Sequence, residues 1–219
     1  MLALFATASA YVLPTLQHAA PTAARAVAPV MAKGNDAVSF PSTLDGSEVR
    51  VGIIRARWHE ETIDSLVSGA KSALMETGVK EENIFVTEVP GSFELPLATR
   101  LLALSGTVDV IIPMGVLIKG DTYHFEVIAE TVTSALMSVG LQTTIPIIFG
   151  LLTVNTEEQA KERSTGSNNH GTQWGKAAVE MAQLRAAALG KKRKNFLGFG
   201  ETADEDSSSS SLDKSKIGF

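Results

Sequence analysis

The sequence predicts an α/β protein: a three-layer α/β/α sandwich around a four-stranded, mainly parallel sheet. Two observations carry this. Short, β-branched apolar runs alternate with segments whose apolar residues recur at helical spacing. The runs are also continuously apolar rather than alternating, as expected of strands covered on both faces.

The elements follow in order. Residues 49–56 (VRVGIIRA) form the first predicted strand. Ile63, Leu66, Val67, Ala70 and Leu74 then share one helix face, and Gly78 supplies a C-cap. Residues 83–89 form the second strand, ended by Pro90-Gly91, and Ser92 can cap a helix running to Leu104. Residues 108–114 (VDVIIPM) form the third strand. Phe125, Ala129, Val132, Leu136 and Val139 face one side of the next helix. Residues 145–152 (IPIIFGLL) form the fourth strand, and Thr156-Glu157-Glu158-Gln159 is a capping box. A last helix covers residues 172–189.

This domain, residues 40–190, lies between two tails. Residues 1–34 contain Arg25 and Lys33 but no acid, and are rich in Ala, Thr, Ser and Pro, the composition of a targeting segment. The apolar run 2–8 leads into Ala8-Ser9-Ala10, an A-x-A cleavage pattern. With Tyr11 and Pro14 it resembles bipartite plastid presequences, so removal of the segment and residence in the plastid stroma are expected. Residues 191–219 carry a basic cluster, then acids, then serines at 207–211. They bury too little apolar surface to offset ordering entropy and read as a disordered tail.

Several function classes drop out. A net charge of −5 gives no sign of a general nucleic-acid binder. The absence of cysteine removes disulfides, thiol nucleophiles and thiolate metal sites. The four histidines show no close metal-ligand spacing, so no metal is expected. Gly, Pro and Thr interrupt the apolar stretches before a membrane span is reached.

In parallel sheets the ligand lies beyond the carboxyl ends of the strands. Trp58, just past the first strand, could plug the core or offer a flat face for stacking a heterocycle. Glu94 could compensate its helix dipole or accept hydroxyl protons from a polyol. The stretch 115–124 (GVLIKGDTYH) lacks P-loop spacing. Thr122 and the adjacent amides could still hold a phosphate, and His124 could exchange protons near neutral pH or be structural. Arg163 precedes STGSNNHG, which suits an anion site or a solvated loop.

The strings VGIIRARW (51–58), VPGSFELP (89–96), GVLIKGDTYHFE (115–126), PIIFGLLT (146–153), EEQAKER (157–163) and NHGTQWGKAAVEMA (169–182) together resemble the lumazine synthase family, in its fungal-type branch. The resemblance implies a flavodoxin-like fold. It also implies a cofactor-free, metal-free condensation of 5-amino-6-(D-ribitylamino)uracil with 3,4-dihydroxy-2-butanone 4-phosphate, the penultimate step of riboflavin biosynthesis. It places Trp58 on the pyrimidine face, and Ser92, Phe93 and Glu94 at the ribityl chain and ring edge. Val116, Leu117 and Ile118 would line the pyrimidine pocket with backbone groups. Asp121, Thr122 and Arg163 would form the phosphate subsite, His124 would transfer protons, and Phe149 would come from the neighbouring subunit. Homopentamers with sites between subunits are implied, and in some members a sixty-subunit shell. Partners are then small molecules and further copies of the chain, with neither nucleic acid nor membrane.

Two departures stand out. Gln173 replaces the acid that supports the catalytic His in the family, and the loop between Arg163 and Gly171 is shorter than in the fungal enzymes. The alternative reading is a non-catalytic flavin- or lumazine-binding protein, or a shell-forming one, on the same scaffold. The binding protein would keep Trp58 and Glu94 while losing His124 or Arg163, and this sequence has all four.

Overall fold

The computed structural model describes residues 39–190, so the presequence and the disordered tail expected from sequence both lie outside the described residues. Nine main elements follow one another: β1 Val51–Ala56, α1 Glu60–Glu76, β2 Ile84–Val89, α2 Leu95–Leu104, β3 Val110–Ile118, α3 His124–Thr143, β4 Gly150–Val154, α4 Glu157–Ser164 and α5 His170–Ala188. The strands pair in the order β2-β1-β3-β4, all parallel. Helices α1, α4 and α5 pack together on one face of the sheet, and α2 packs with α3 on the other. The expected three-layer sandwich is therefore present.

Periodicity explains the helices. Ile63, Leu66, Val67, Ala70, Ala73 and Leu74 of α1 are all buried, and Glu60 and Glu61 lie in its positive first turn. The helix closes at Gly78, whose φ of 90° is open to glycine at little cost. Its N–H donates to Met75 O. Thr156 caps α4 by accepting from the Gln159 N–H. Gln159 reaches back one residue further than a standard capping box, to the Asn155 N–H.

Three boundaries differ from the sequence reading. The third strand does not end at Met114 but runs on to Ile118, because β4 pairs with it from Met114 through Ile118. The fourth strand starts at Gly150, not at Ile145. The stretch before it holds the same register, since Ile111 faces Ile147 and Met114 faces Gly150, both 36 positions apart. The ladder breaks between them at Pro113, which has no N–H to donate. Ser92 is not a helix cap. Gly91 takes that position, and the Glu94 carboxylate accepts from its N–H at 2.9 Å.

The core lies between sheet and helices on both sides. Ile53, Ile54, Ile111, Ile112 and Met114 are fully buried against Ile63, Leu66, Leu74 and Leu95. Strand β2 is different. It is an edge strand, and Phe85 and Val86 remain exposed within one chain.

Candidate functional site

Chain direction reverses across the sheet between β1 and β3: the chain leaves β1 toward β2 on one side and leaves β3 toward β4 on the other. At such a switch point the connections part and open a crevice at the carboxyl ends of the strands. Pairing deepens it here. β1 pairs with β3 only as far as Arg55 opposite Met114, whereas β3 continues four residues further with β4. Among the described residues, no strand pairs with the β1-facing edge of residues 115–118. That edge presents backbone N–H and C=O groups to the crevice, and such groups need partners once water is excluded.

Two turns wall the crevice. After β1 the chain passes Arg57, whose N–H still bonds Val89 O at 3.0 Å, and turns at His59 with a φ of 62°. This leaves Trp58 as the most exposed aromatic of the two turns, with 71% of its surface free. After β2 the chain turns at Gly91. A Cβ there would meet Trp58 Cδ1 and Glu94 Oε2, each at 3.4 Å. Trp58, Gly91 and Glu94 thus form one group. The turn occupies Glu94 Oε2, so Oε1 is available to a ligand hydroxyl.

Ser92 is buried, and its hydroxyl lies against β3. A Cβ on Gly115 would come within 2.5 Å of Ser92 Oγ. Glycine at 115 therefore lets the β2 turn close onto the open β3 edge. Phe93 stands out into solvent at 63% exposure. Arg55, mostly buried near the end of β1, pairs with Asp64 of α1 and Glu88 of β2 and so ties both neighbouring elements to β1.

Val116, Leu117 and Ile118 lie on β3 rather than in a loop. Val116 is buried in the core, so only its backbone can face the crevice. The loop after β3 holds exposed Asp121 and Thr122. Thr122 Oγ1 accepts from the His124 N–H at 3.4 Å, and the exposed His124 opens α3. Lys119 is already engaged by Glu126 at 2.7 Å, and this contact holds the Glu126 carboxyl below the usual carboxylate range. Arg163, half-buried in the last turn of α4, donates to Gln159 O at 3.2 Å.

Phe149 stands apart. It precedes β4, at the opposite end of that strand from the rim loops, and lines an apolar cavity of about 650 Å³ with Met137, Leu141 and Met181. No hydrogen bond, ion pair or ring contact among the described residues joins His124, Arg163 or Phe149 to Trp58 or Glu94. Gln173, half-buried on α5, makes no hydrogen bond to His124.

Sequence reasoning passed over two residues. His170 opens α5, stacks edge-on against Trp174 at 6.2 Å, and is held below its usual pKa by burial and then by the Arg163 charge. Asn169 caps the same helix. Asn169 ends a short polar loop and His170 starts the helix after it, a stretch read from sequence only as an anion site or a solvated loop, with no role for either residue. Among the described residues no cluster of potential metal ligands forms and no helix is long and apolar enough to cross a membrane.

A sequence model of the family described as 6,7-dimethyl-8-ribityllumazine synthase matches residues 48–186, nearly the whole described domain. The chain is 44% identical to the 6,7-dimethyl-8-ribityllumazine synthase of Pyricularia oryzae, covering 66% of this chain and 92% of that protein. It is 51% identical to the protein of the same name from Schizosaccharomyces pombe, covering 64% and 91%. It is 39% identical to that of Cupriavidus necator, covering 68% and 87%.

Proposed function

The chain belongs to the 6,7-dimethyl-8-ribityllumazine synthase family, and from that premise we infer how its crevice performs the condensation. The protein is a transferase of riboflavin biosynthesis. It joins 5-amino-6-(D-ribitylamino)uracil to 3,4-dihydroxy-2-butanone 4-phosphate and yields the lumazine, phosphate and water.

The observation that carries the reading is the unpaired β3 edge at residues 115–118, flanked by the Trp58–Gly91–Glu94 group. A pyrimidinedione is planar and edged with amide-like donors and acceptors. Trp58 offers its face, and the open edge offers matching backbone groups. Glu94 Oε1 suits the hydroxyls of the ribityl chain. Arg163 and Thr122 suit a phosphate, Arg through its fork of donors. Asp121 stands beside Thr122, where its contribution is that of the loop backbone.

The substrate amine is itself the nucleophile. It attacks the ketone, water leaves to form the imine, phosphate is then expelled, and the second amine closes the ring with loss of water. Such steps need alignment of two substrates and a proton carrier rather than a protein nucleophile. His124 is the group suited to carry the proton. Gln173 can orient an imidazole but cannot stabilise its cation as a carboxylate would.

The site is completed by a second subunit. Phe149 lies away from its own rim but is exposed, so a neighbour's Phe149 is the one available to close the crevice. Leu97, Leu101 and Leu104 on α2 and Met137 and Leu141 on α3 are also exposed, which supports assembly through these faces. A closed five-fold ring is the form we assign. The acid-free composition of residues 1–34 supports import into the plastid.

The test is direct. The purified chain mixed with both substrates should generate lumazine fluorescence, and no product above the uncatalysed rate would overturn the activity. Arg163→Ala should raise KM for the butanone phosphate while sparing the pyrimidine. Loss of a charge-assisted pair to phosphate costs about 1.5–3 kcal/mol.

A further inference from the structure

Helix α4 is short, and its last carbonyls have no partner within the helix. The two carbonyls on either side of Arg163 are each met from outside. Asn168 Nδ2 donates to Glu162 O at 3.2 Å. Asn169 Nδ2 donates to Ser164 O at 2.8 Å, and the Ser65 hydroxyl of α1 donates to the same oxygen. Asn169 Nδ2 also donates to Ser65 O at 2.9 Å, and its Oδ1 accepts from the Gly171 N–H at 2.8 Å. One amide side chain thus ties α1, the end of α4 and the start of α5 together, with both of its polar atoms in use.

The surroundings are shaped to hold that amide. Gly69 leaves room for it, since a Cβ there would lie 2.7 Å from Asn169 Cγ. Ser164 is almost wholly buried, so water cannot readily replace the bonds to its carbonyl. Arg163 itself is held weakly, by Gln159 O at 3.2 Å and Glu162 Oε2 at 3.4 Å. Its guanidinium is therefore placed chiefly by the backbone that carries it, and that backbone is fixed by the clamp.

We propose that Asn169 is a positioning residue for Arg163: it pins the carbonyl that follows Arg163 and so fixes the point from which the guanidinium reaches the substrate phosphate. This rests on the reading of Arg163 as the phosphate-binding residue. The requirement is for a carboxamide, because the position needs two donors toward α1 and α4 and one acceptor toward α5.

The experiment is a double-mutant cycle on the full chain, reading kcat and KM for both substrates. Asn169→Ala should raise KM for the butanone phosphate roughly 10–100-fold, the scale of a misplaced binding group. KM for the pyrimidine and kcat should stay within about 2-fold, and in an Arg163→Ala background the Asn169→Ala change should add nothing further. Asn169→Asp keeps the acceptor for Gly171 but turns a carboxylate oxygen toward the Ser65 and Ser164 carbonyls, so it should lose stability as well and should not recover KM. Equal KM changes for both substrates, full additivity with Arg163→Ala, or a normal KM in Asn169→Asp would overturn the proposal. Should Asn169→Ala fail to fold, Ser65→Ala must show the same split at smaller size, and its absence would count against the clamp. An unchanged phosphate KM in Arg163→Ala alone overturns the reading of Arg163 instead.

Discussion

The rim of the sheet and the α1–α5 face are built on opposite plans. On the rim, Trp58 and Phe93 are mostly exposed, and among the described residues no strand pairs with the β1-facing edge of residues 115–118. On the α1–α5 face, backbones nearly touch. A Cβ on Gly171 would lie 2.0 Å from Leu66 O, and one on Gly175 would lie 2.7 Å from Ala70 O. Asn169 satisfies three backbone groups there at once. One chain finishes its helix clamp but leaves its rim open. Packing is therefore tightest on the α1–α5 face, and the backbone groups without a strand partner lie on the rim.

The sharpest way to test this division is His124→Ala. His124 is exposed and its side chain makes no bond, so the fold should be unaffected. Turnover should fall by roughly 10²–10⁴-fold if proton transfer limits the rate. A wild-type single-turnover rate would remove His124 from the mechanism.

Gly171→Ala probes the other region. In an ordinary helix interior such a change stabilises by up to about 1 kcal/mol. Here the added methyl meets the Leu66 carbonyl, so α1 and α5 must part. A loss of about 1–3 kcal/mol in denaturant unfolding is expected, as for other overpacked sites. A gain in stability would show that the two helices are not held at this distance.

The smallest effect lies where the regions meet, at His170. Burial and the Arg163 charge hold its pKa below 6.5 in the folded chain. Well above the ordinary histidine pKa both folded and unfolded forms are neutral, and His170 contributes no pH dependence. Below it the unfolded chain takes up the proton first, so stability falls with pH until the folded pKa is reached. His170→Gln should flatten this acid-side loss in unfolding measured from neutral to mildly acidic pH. Identical profiles would mean that His170 is solvated as in the unfolded chain. Because the ring is only half-buried, solvent screening keeps the change small.

Much of the architecture was legible in the chain itself. The apolar runs located all four strands, the i, i+3, i+4 spacing located α1 and α3, and the parallel-sheet rule directed attention to the turns at Trp58 and Glu94. These are local properties, set by side-chain periodicity and turn chemistry within a few residues. The motif strings identified the family because they keep residue types at fixed spacing along the chain.

Tertiary structure decided what depends on distance between segments. The extension of β3 to Ile118 requires β4 as a partner, so a boundary placed at Pro113-Met114 by composition moved four residues. Gly115 read only as the first residue after the third strand, yet it lies within β3 and must be small because Ser92, 23 positions earlier in sequence, holds its hydroxyl against it. Phe149 read as part of the fourth strand, and it lies just before β4, at the end away from the rim loops. Asn169 carried no signal, because its partners Ser65 and Ser164 are backbone carbonyls that any sequence supplies. The chain alone determined which elements form and which family they belong to. Only folding decided which backbone groups are left without a partner, since that depends on where strands stop relative to one another.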